Sequence, residues 1–183
     1  MTQLPVPTLE TCKIRMTLAI NMAKRSSCRQ LKVGAVITCK NGEYHACAFN
    51  RPPEGREYCN KNNCPPGDID GYCKRVEHAE SIAIDNFYAK HKNISAGICF
   101  TNWFPCHHCF LELYRKNIRI FIYAYDDLNC PTSESECGKN TQLIHLYHRR
   151  HEYKEELSAV KSLTKEYGNV ILAKYKNDLL VRE

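Results

Sequence analysis

His78 and Glu80 stand two residues apart, and Cys106 and Cys109 three apart, in a chain of 183 residues. Imidazole and thiolate are ligands that zinc favours, and a catalytic zinc site takes three protein ligands and leaves its fourth position to water. His78, Cys106 and Cys109 supply such a set. A Cys-x-x-Cys pair on a helix puts two thiolates about one turn apart on one face. Pro105 suits the first turn of that helix, whose positive end favours the thiolate form that binds metal. Glu80 follows His78 too closely for both to share one metal comfortably, and is better placed beside the water. There its carboxylate can take a proton from the water and hand it to a ring nitrogen and a departing amine.

Each half is unspecific alone. Cys-x-x-Cys also serves redox pairs and halves of structural zinc sites, and His-x-Glu commonly sits on a solvated helix face. Joined in this order, His78-Ala79-Glu80 and Pro105-Cys106-His107-His108-Cys109 spell the His-x-Glu…Pro-Cys-x-x-Cys signature of zinc nucleobase deaminases. The plainer alternative is a closed structural zinc site with Cys73 or Glu80 as fourth ligand. His107 and His108 flank the ligands and read as neighbours of the metal rather than members of its set.

The elements that must position these residues follow from periodicity. Leu9, Cys12, Met16, Ala19 and Ala23 recur at three- and four-residue steps and predict a helix over residues 8–26. A strand is predicted over 33–38, a hairpin turn at Asn41-Gly42 and an antiparallel partner over 44–49. Residues 50–71 are irregular and rich in Pro, Gly, Asn and Cys; so long a loop is usually functional or pinned. A helix over 78–90, with Ile82, Ala83, Ile84 and Phe87 available for a core face, a strand over 98–102, a helix over 106–116 and a strand over 118–123 come next. Two strand–helix–strand passes imply an α/β layer with helices on both faces. Both metal-bearing segments would open helices at one edge of the sheet, where open α/β folds place their sites. Residues 129–139 read as a polar loop, 141–167 as a long helix stopped by Gly168, 169–175 as a last strand, and the charged tail as loose. The expectation is one domain over 1–183, with 126–183 as a divergent C-terminal extension.

A content of 43% hydrophobic and 25% charged residues is that of a globular domain. The net charge of +6 suits an anionic partner such as a nucleotide and permits nucleic acid, although the basic residues are dispersed among 20 acidic ones. Residues 1–7 carry no export signal and no apolar run is long enough to span a membrane, so the expected place is the cytoplasm, with no membrane partner. There, twelve cysteines read as metal ligands or small buried residues rather than disulfides. Cys28, Cys59, Cys64 and Cys73 fall in or beside loops; four thiolates can close a second, structural zinc site that pins the long loop, and simple burial is the alternative. Cys12, Cys39, Cys47 and Cys99 fit the core, and Cys130 and Cys137 read as exposed and unpaired.

Arg25-Ser26-Ser27-Cys28, Val33-Gly34-Ala35-Val36, Asn50, Pro53, Gly55, Cys59, Cys64, Cys73, Arg75 and the two metal motifs together resemble the deoxycytidylate (dCMP) deaminase family over residues 9–125. The resemblance implies a three-layer α-β-α sandwich around a mixed sheet of about five strands. It implies hydrolysis of dCMP to dUMP and ammonia, with His78, Cys106 and Cys109 on zinc and Glu80 as proton shuttle. Cys28, Cys59, Cys64 and Cys73 match the family's accessory zinc cysteines, and Asn50 matches a sugar contact. The Ala79 backbone and the strand from Val33 would line the base. Arg75, Lys74 and Arg51 are the candidates for the phosphate, since arginine offers it a planar fork. A homo-oligomer, often a hexamer, and control by dCTP and dTTP are also implied.

Three positions depart from the family pattern. Arg51 stands where a glycine usually follows Asn50, Ile82 replaces an asparagine, and Asn102 replaces a threonine. Trp103 and Phe104 are bulky and either stack on a base or pack in the core. Two further readings stay open. One is a cytidine deaminase of single-stranded DNA or RNA, which predicts a basic and aromatic groove. The other is a zinc-binding regulatory protein with a decayed site, which has no evident use for Glu80.

Overall fold

The computed structural model describes residues 7–29, 31–60, 62, 75–125, 171–176 and 179–182. Strand β1 (Gly34–Cys39) is buried at every position, as its unbroken apolar run requires. It pairs antiparallel with β2 (His45–Phe49) on one side and with β3 (Ala96–Trp103) on the other. Gly42 takes φ +75° in the turn between β1 and β2, a conformation open to glycine at no steric cost. Strand β3 runs parallel to β4 (Ile120–Tyr125), and β4 parallel to β5 (Ile171–Lys176). Strand β6 (Leu179–Arg182) closes the order β2-β1-β3-β4-β5-β6, antiparallel to β5. The mixed sheet thus has six strands, and the tail expected to be loose is one of them: Leu179, Leu180 and Val181 stand in register with β5.

Side chains alternate along a strand, and here the alternation sorts the core into two layers. Even-numbered Val36, Ile98, Phe100, Ile120 and Ile122 meet Cys12, Met16 and Ala19 of α1 (Leu9–Lys24). Odd-numbered Ala35, Ile37, Cys99 and Phe121 meet α2 (Ala79–Lys90) and α3 (His107–Arg115) through Ala83, Ile84, Phe87, Phe110 and Leu113. Each fully buried Phe or Ile in these layers contributes roughly 1.5–3 kcal/mol relative to exposure. The result is the α-β-α sandwich. Thr8 caps α1 by accepting from the Thr11 N–H, while Leu9, placed on the buried face by its spacing, is exposed.

Helix α1 lies directly on the start of β1. A β-carbon on Gly34 would stand 2.1 Å from the Ala19 carbonyl oxygen and 2.5 Å from the Ala23 nitrogen. The small residues Ala19, Ala23 and Gly34 therefore set the distance between this helix and the sheet. The expected loop over 129–139, the helix over 141–167, the division at 126, Lys74 and Cys64, Cys73, Cys130 and Cys137 lie outside the described residues. Among the described residues, no helix is long and apolar enough to cross a membrane.

Candidate active site

Two helix starts bring together a group that could hold a metal ion. His78 is the N-cap of α2 and Cys106 the N-cap of α3, so each stands one residue before the helix it was expected to open. Cys109 lies in the first turn of α3, and its N–H donates to Cys106 Sγ at 3.5 Å. His78 Nδ1 is 3.5 Å from Cys106 Sγ and 3.2 Å from Cys109 Sγ. All three ligand atoms lie within 4.8 Å of one another, the one such group among the described residues. A tetrahedral zinc with bonds of 2.0–2.3 Å holds its ligands about 3.3–3.8 Å apart, so the two separations from His78 are within about 0.1 Å of that range and the donor set is one that zinc favours. The positive ends of α2 and α3 both meet there and favour thiolate.

The electrostatics fit the same purpose. A hydrogen bond from Cys109, reinforced by His78, pulls the Cys106 thiol well below its usual range. That thiolate and burial in turn push the Cys109 thiol up. Glu80 is 4% exposed. Burial raises its carboxyl to about 7, against the opposing pull of His78. Beneath it, burial and the Glu80 charge push the Cys99 thiol up as well. A carboxyl that titrates near neutrality both takes and returns a proton readily.

Around this centre the other expected residues take definite places. Ala79 is fully buried, and Val33 is half-buried on the same apolar layer. Asn50 is buried; its Oδ1 accepts from the Val33 N–H at 2.9 Å and its Nδ2 donates to the Leu31 carbonyl at 2.8 Å. Arg51 exchanges backbone hydrogen bonds with Glu77, at 3.3 and 2.8 Å, which brings the end of β2 beside the residue preceding His78. Its φ is not positive, so this position makes no use of the freedom of the family's glycine. Arg75 donates to the Glu57 carbonyl at 3.3 Å. Phe104, 3% exposed, meets the Tyr123 ring edge-on at 4.9 Å, a core contact. Cys28 and Cys59 are both buried, and the Cys59 N–H donates to Ser27 Oγ at 3.2 Å, next to Cys28. Their expected companions Cys64 and Cys73 are outside the described residues.

Three residues that the sequence reading did not assign to the site stand close to it. Ser81 Oγ lies 3.9 Å from Cys109 Sγ and donates to Glu112 Oε2 at 2.5 Å. Spacing held the signal: Ser81 is three residues past His78 and Glu112 three past Cys109, one helical turn in each case. Asn102, noted only as a departure, is buried and hydrogen-bonds the Lys32 and Gly34 backbone. A cleft of about 330 Å³, lined by Glu77, His78, Ser81, Ile82, Asp85 and His108 among others, opens beside His78.

The crystal structure of dCMP deaminase from the cyanophage S-TIM5 in apo form is 25% identical, with a TM-score of 0.51, over 64% of this chain and 85% of that one. Its complex with dCMP and dUMP gives 23% identity and a TM-score of 0.51 over 65% and 84%. Guanine deaminase from Nitrosomonas europaea, at 14% identity and a TM-score of 0.41 over 86% of each chain, adds no argument. No curated protein matches the chain. A family model, the cytidine and deoxycytidylate deaminase zinc-binding region, matches residues 10–125. That stretch runs from α1 through both ligand-bearing helix starts to β4, and by this match the chain belongs to the cytidine and deoxycytidylate deaminase family.

Proposed function

We propose that the chain hydrolyses dCMP to dUMP and ammonia, with zinc on His78, Cys106 and Cys109. The observation that carries this reading is Glu80, buried beside the three ligand atoms with its carboxyl raised to about 7. A zinc scaffold needs three or four ligands; it does not need a buried carboxyl with a proton affinity near neutrality. The 25% likeness to a phage dCMP deaminase supports dCMP over other cytosine compounds.

Bound zinc supplies the acidity that makes a water nucleophilic near neutral pH. Glu80 takes a proton from that water and passes it to the ring nitrogen of the base. It moves a second proton to the exocyclic amine. The water oxygen stays on the ring carbon as a carbonyl, the carbon–nitrogen bond breaks, and ammonia leaves; no oxidant or reductant enters. Val33 and the Ala79 backbone line the base in this reading. Asn50 reaches the sugar with the amide hydrogen that Leu31 does not use. Arg75, Arg51 and Lys74 hold the phosphate, and Phe104, packed edge-on against Tyr123, serves from the core rather than by stacking on the base. A second zinc on Cys28, Cys59, Cys64 and Cys73 pins the loop over 50–71. A homo-oligomer, of hexamer size, in the cytoplasm completes the reading.

The test is ammonia release by the zinc-loaded protein from dCMP, CMP, deoxycytidine and a cytosine-containing single strand, with Glu80→Gln in parallel. Turnover of dCMP well above the others, lost by several orders of magnitude in the variant while zinc and fold are kept, is the expected result. Turnover of the strand alone would move the assignment to polynucleotides. No release from a fully zinc-loaded protein would move it to a regulatory zinc protein.

A further inference from the structure

We propose that Asn102 is a positioning residue of this site, whose carboxamide works against that of Asn50 to fix the backbone of residues 31–34 and with it Val33. The last β1–β3 pair is Ala35 with Thr101. Beyond it the backbone ladder stops and Asn102 continues the pairing with its side chain. Oδ1 accepts from the Gly34 N–H at 2.8 Å, and Nδ2 donates to the Lys32 carbonyl at 3.0 Å. On the other side Asn50 treats the neighbouring residues in the same way, accepting from the Val33 N–H and donating to the Leu31 carbonyl. A planar carboxamide carries one acceptor and a donor like a peptide group, so each asparagine serves as a short stretch of strand. Residues 31 and 33 are held from the β2 side, and 32 and 34 from the β3 side.

The third constraint is α1, which touches Gly34 so closely that no β-carbon fits. Backbone gripped on three sides leaves the Val33 side chain with one direction, onto the apolar layer shared with Ala79. A threonine, the residue usual in the family at this position, offers a single oxygen for both roles, whereas the Asn102 carboxamide presents its acceptor to Gly34 and its donor to Lys32 on separate atoms. The Asn102 departure therefore reads as a change in how the base-lining segment is anchored. The inference rests on the dCMP reading only for what Val33 touches; the anchoring itself is independent of substrate.

Asn102→Leu keeps the size of the side chain and removes both hydrogen bonds. The expected result is a rise in KM for dCMP of about 10-fold, with kcat within about threefold. In the nucleotide-free protein, amide exchange should quicken at Gly34 and also at Val33, while Phe100 in the centre of β3 is unchanged. The Val33 response is the discriminating one, because its own partner, Asn50, is intact. Faster exchange at Gly34 alone would make Asn102 a local partner and overturn the proposal. Exchange quickened throughout β3, with kcat falling alongside, would make it merely structural and overturn it too. If the wild type does not turn over dCMP, the substrate reading falls by itself, and the paired Val33 and Gly34 amides still decide the anchoring. Should Asn102→Leu fail to fold, Asn102→Ser reads the same amides.

Discussion

Ser81 Oγ donates to Glu112 Oε2 at 2.5 Å and so ties the first turn of α2 to α3, one turn away from His78 and from Cys109. The same oxygen stands 3.9 Å from Cys109 Sγ. Glu112 goes on to Lys116 at 3.1 Å, and Lys116 to Asp85 at 2.5 Å. Asp85 is 70% exposed, so that last ion pair contributes little. The half-buried Ser81–Glu112 bond is the part that fixes how the two helix starts face each other. Removing a side chain that orients a ligand typically weakens metal binding 10–100-fold. Ser81→Ala should therefore lower zinc affinity by about tenfold in competition with a chromophoric chelator, and Asp85→Asn should leave it unchanged. Equal affinity in Ser81→Ala would remove this bond from the support of the metal.

Gly34→Ala tests the packing that sets the segment in place. The added carbon meets backbone, the Ala19 carbonyl at 2.1 Å and the Ala23 nitrogen at 2.5 Å, and neither can swing aside as a side chain tip can. Either α1 lifts off the sheet or β1 shifts. Overpacking of this kind costs about 3 kcal/mol, read as a lower urea midpoint at an unchanged slope. A midpoint equal to that of the wild type would mean that α1 yields freely and does not set the register of residues 31–34.

Much of this was legible from residue types. The helix and strand spacings place α1, β1, β2, α2, β3, α3 and β4 close to their observed starts, because the helices turn one face to the core and the central strands β1 and β3 are apolar runs buried on both faces. The meeting of His78, Cys106 and Cys109 was legible because zinc chemistry demands particular residues at short spacings. The asparagine clamp was not. Asn102 meets residues 32–34 across the sheet, and no local pattern records a side chain that completes a ladder made by distant backbone. The β6 strand was missed for a related reason. Its charges argued for a loose tail, whereas its hydrogen-bond partners belong to β5.

Glu80 gives a pH signature in the metal-free protein. Burial raises its carboxyl from 4.5 to about 7 in the folded chain. Below about pH 4.5 the group is protonated in both folded and unfolded chains and contributes no penalty. As pH rises through this window the unfolded chain loses its proton first, and the folded state must hold a proton or bury a charge. Stability is lost progressively and levels off above about pH 7, by an amount on the order of 3 kcal/mol. Glu80→Gln carries no proton and should not show this loss. Denaturant midpoints in chelator at pH 5 and pH 8 should therefore diverge between the two proteins, the variant being the more stable at the higher pH. Parallel profiles would mean that Glu80 is solvated in solution and does not titrate near neutrality.

The second zinc is decided by counting metal. Cys28 and Cys59 are buried and brought near one another by the hydrogen bond from the Cys59 amide to Ser27. Two thiolates alone do not close a tetrahedral site, so Cys64 and Cys73 must join them if the site is real. The protein should then carry two zinc ions per chain. Cys59→Ser should leave one, lower the thermal midpoint, and spare kcat of the zinc-loaded protein, because Glu80 and the three ligands stand at the starts of α2 and α3 and not in that loop. A loop of this length has few apolar residues to hold it, so loss of a structural metal should be felt as proteolysis within residues 50–71 before it is felt as global unfolding. One zinc per wild-type chain, with Cys59→Ser as stable as the parent, would show that these cysteines are buried for packing alone.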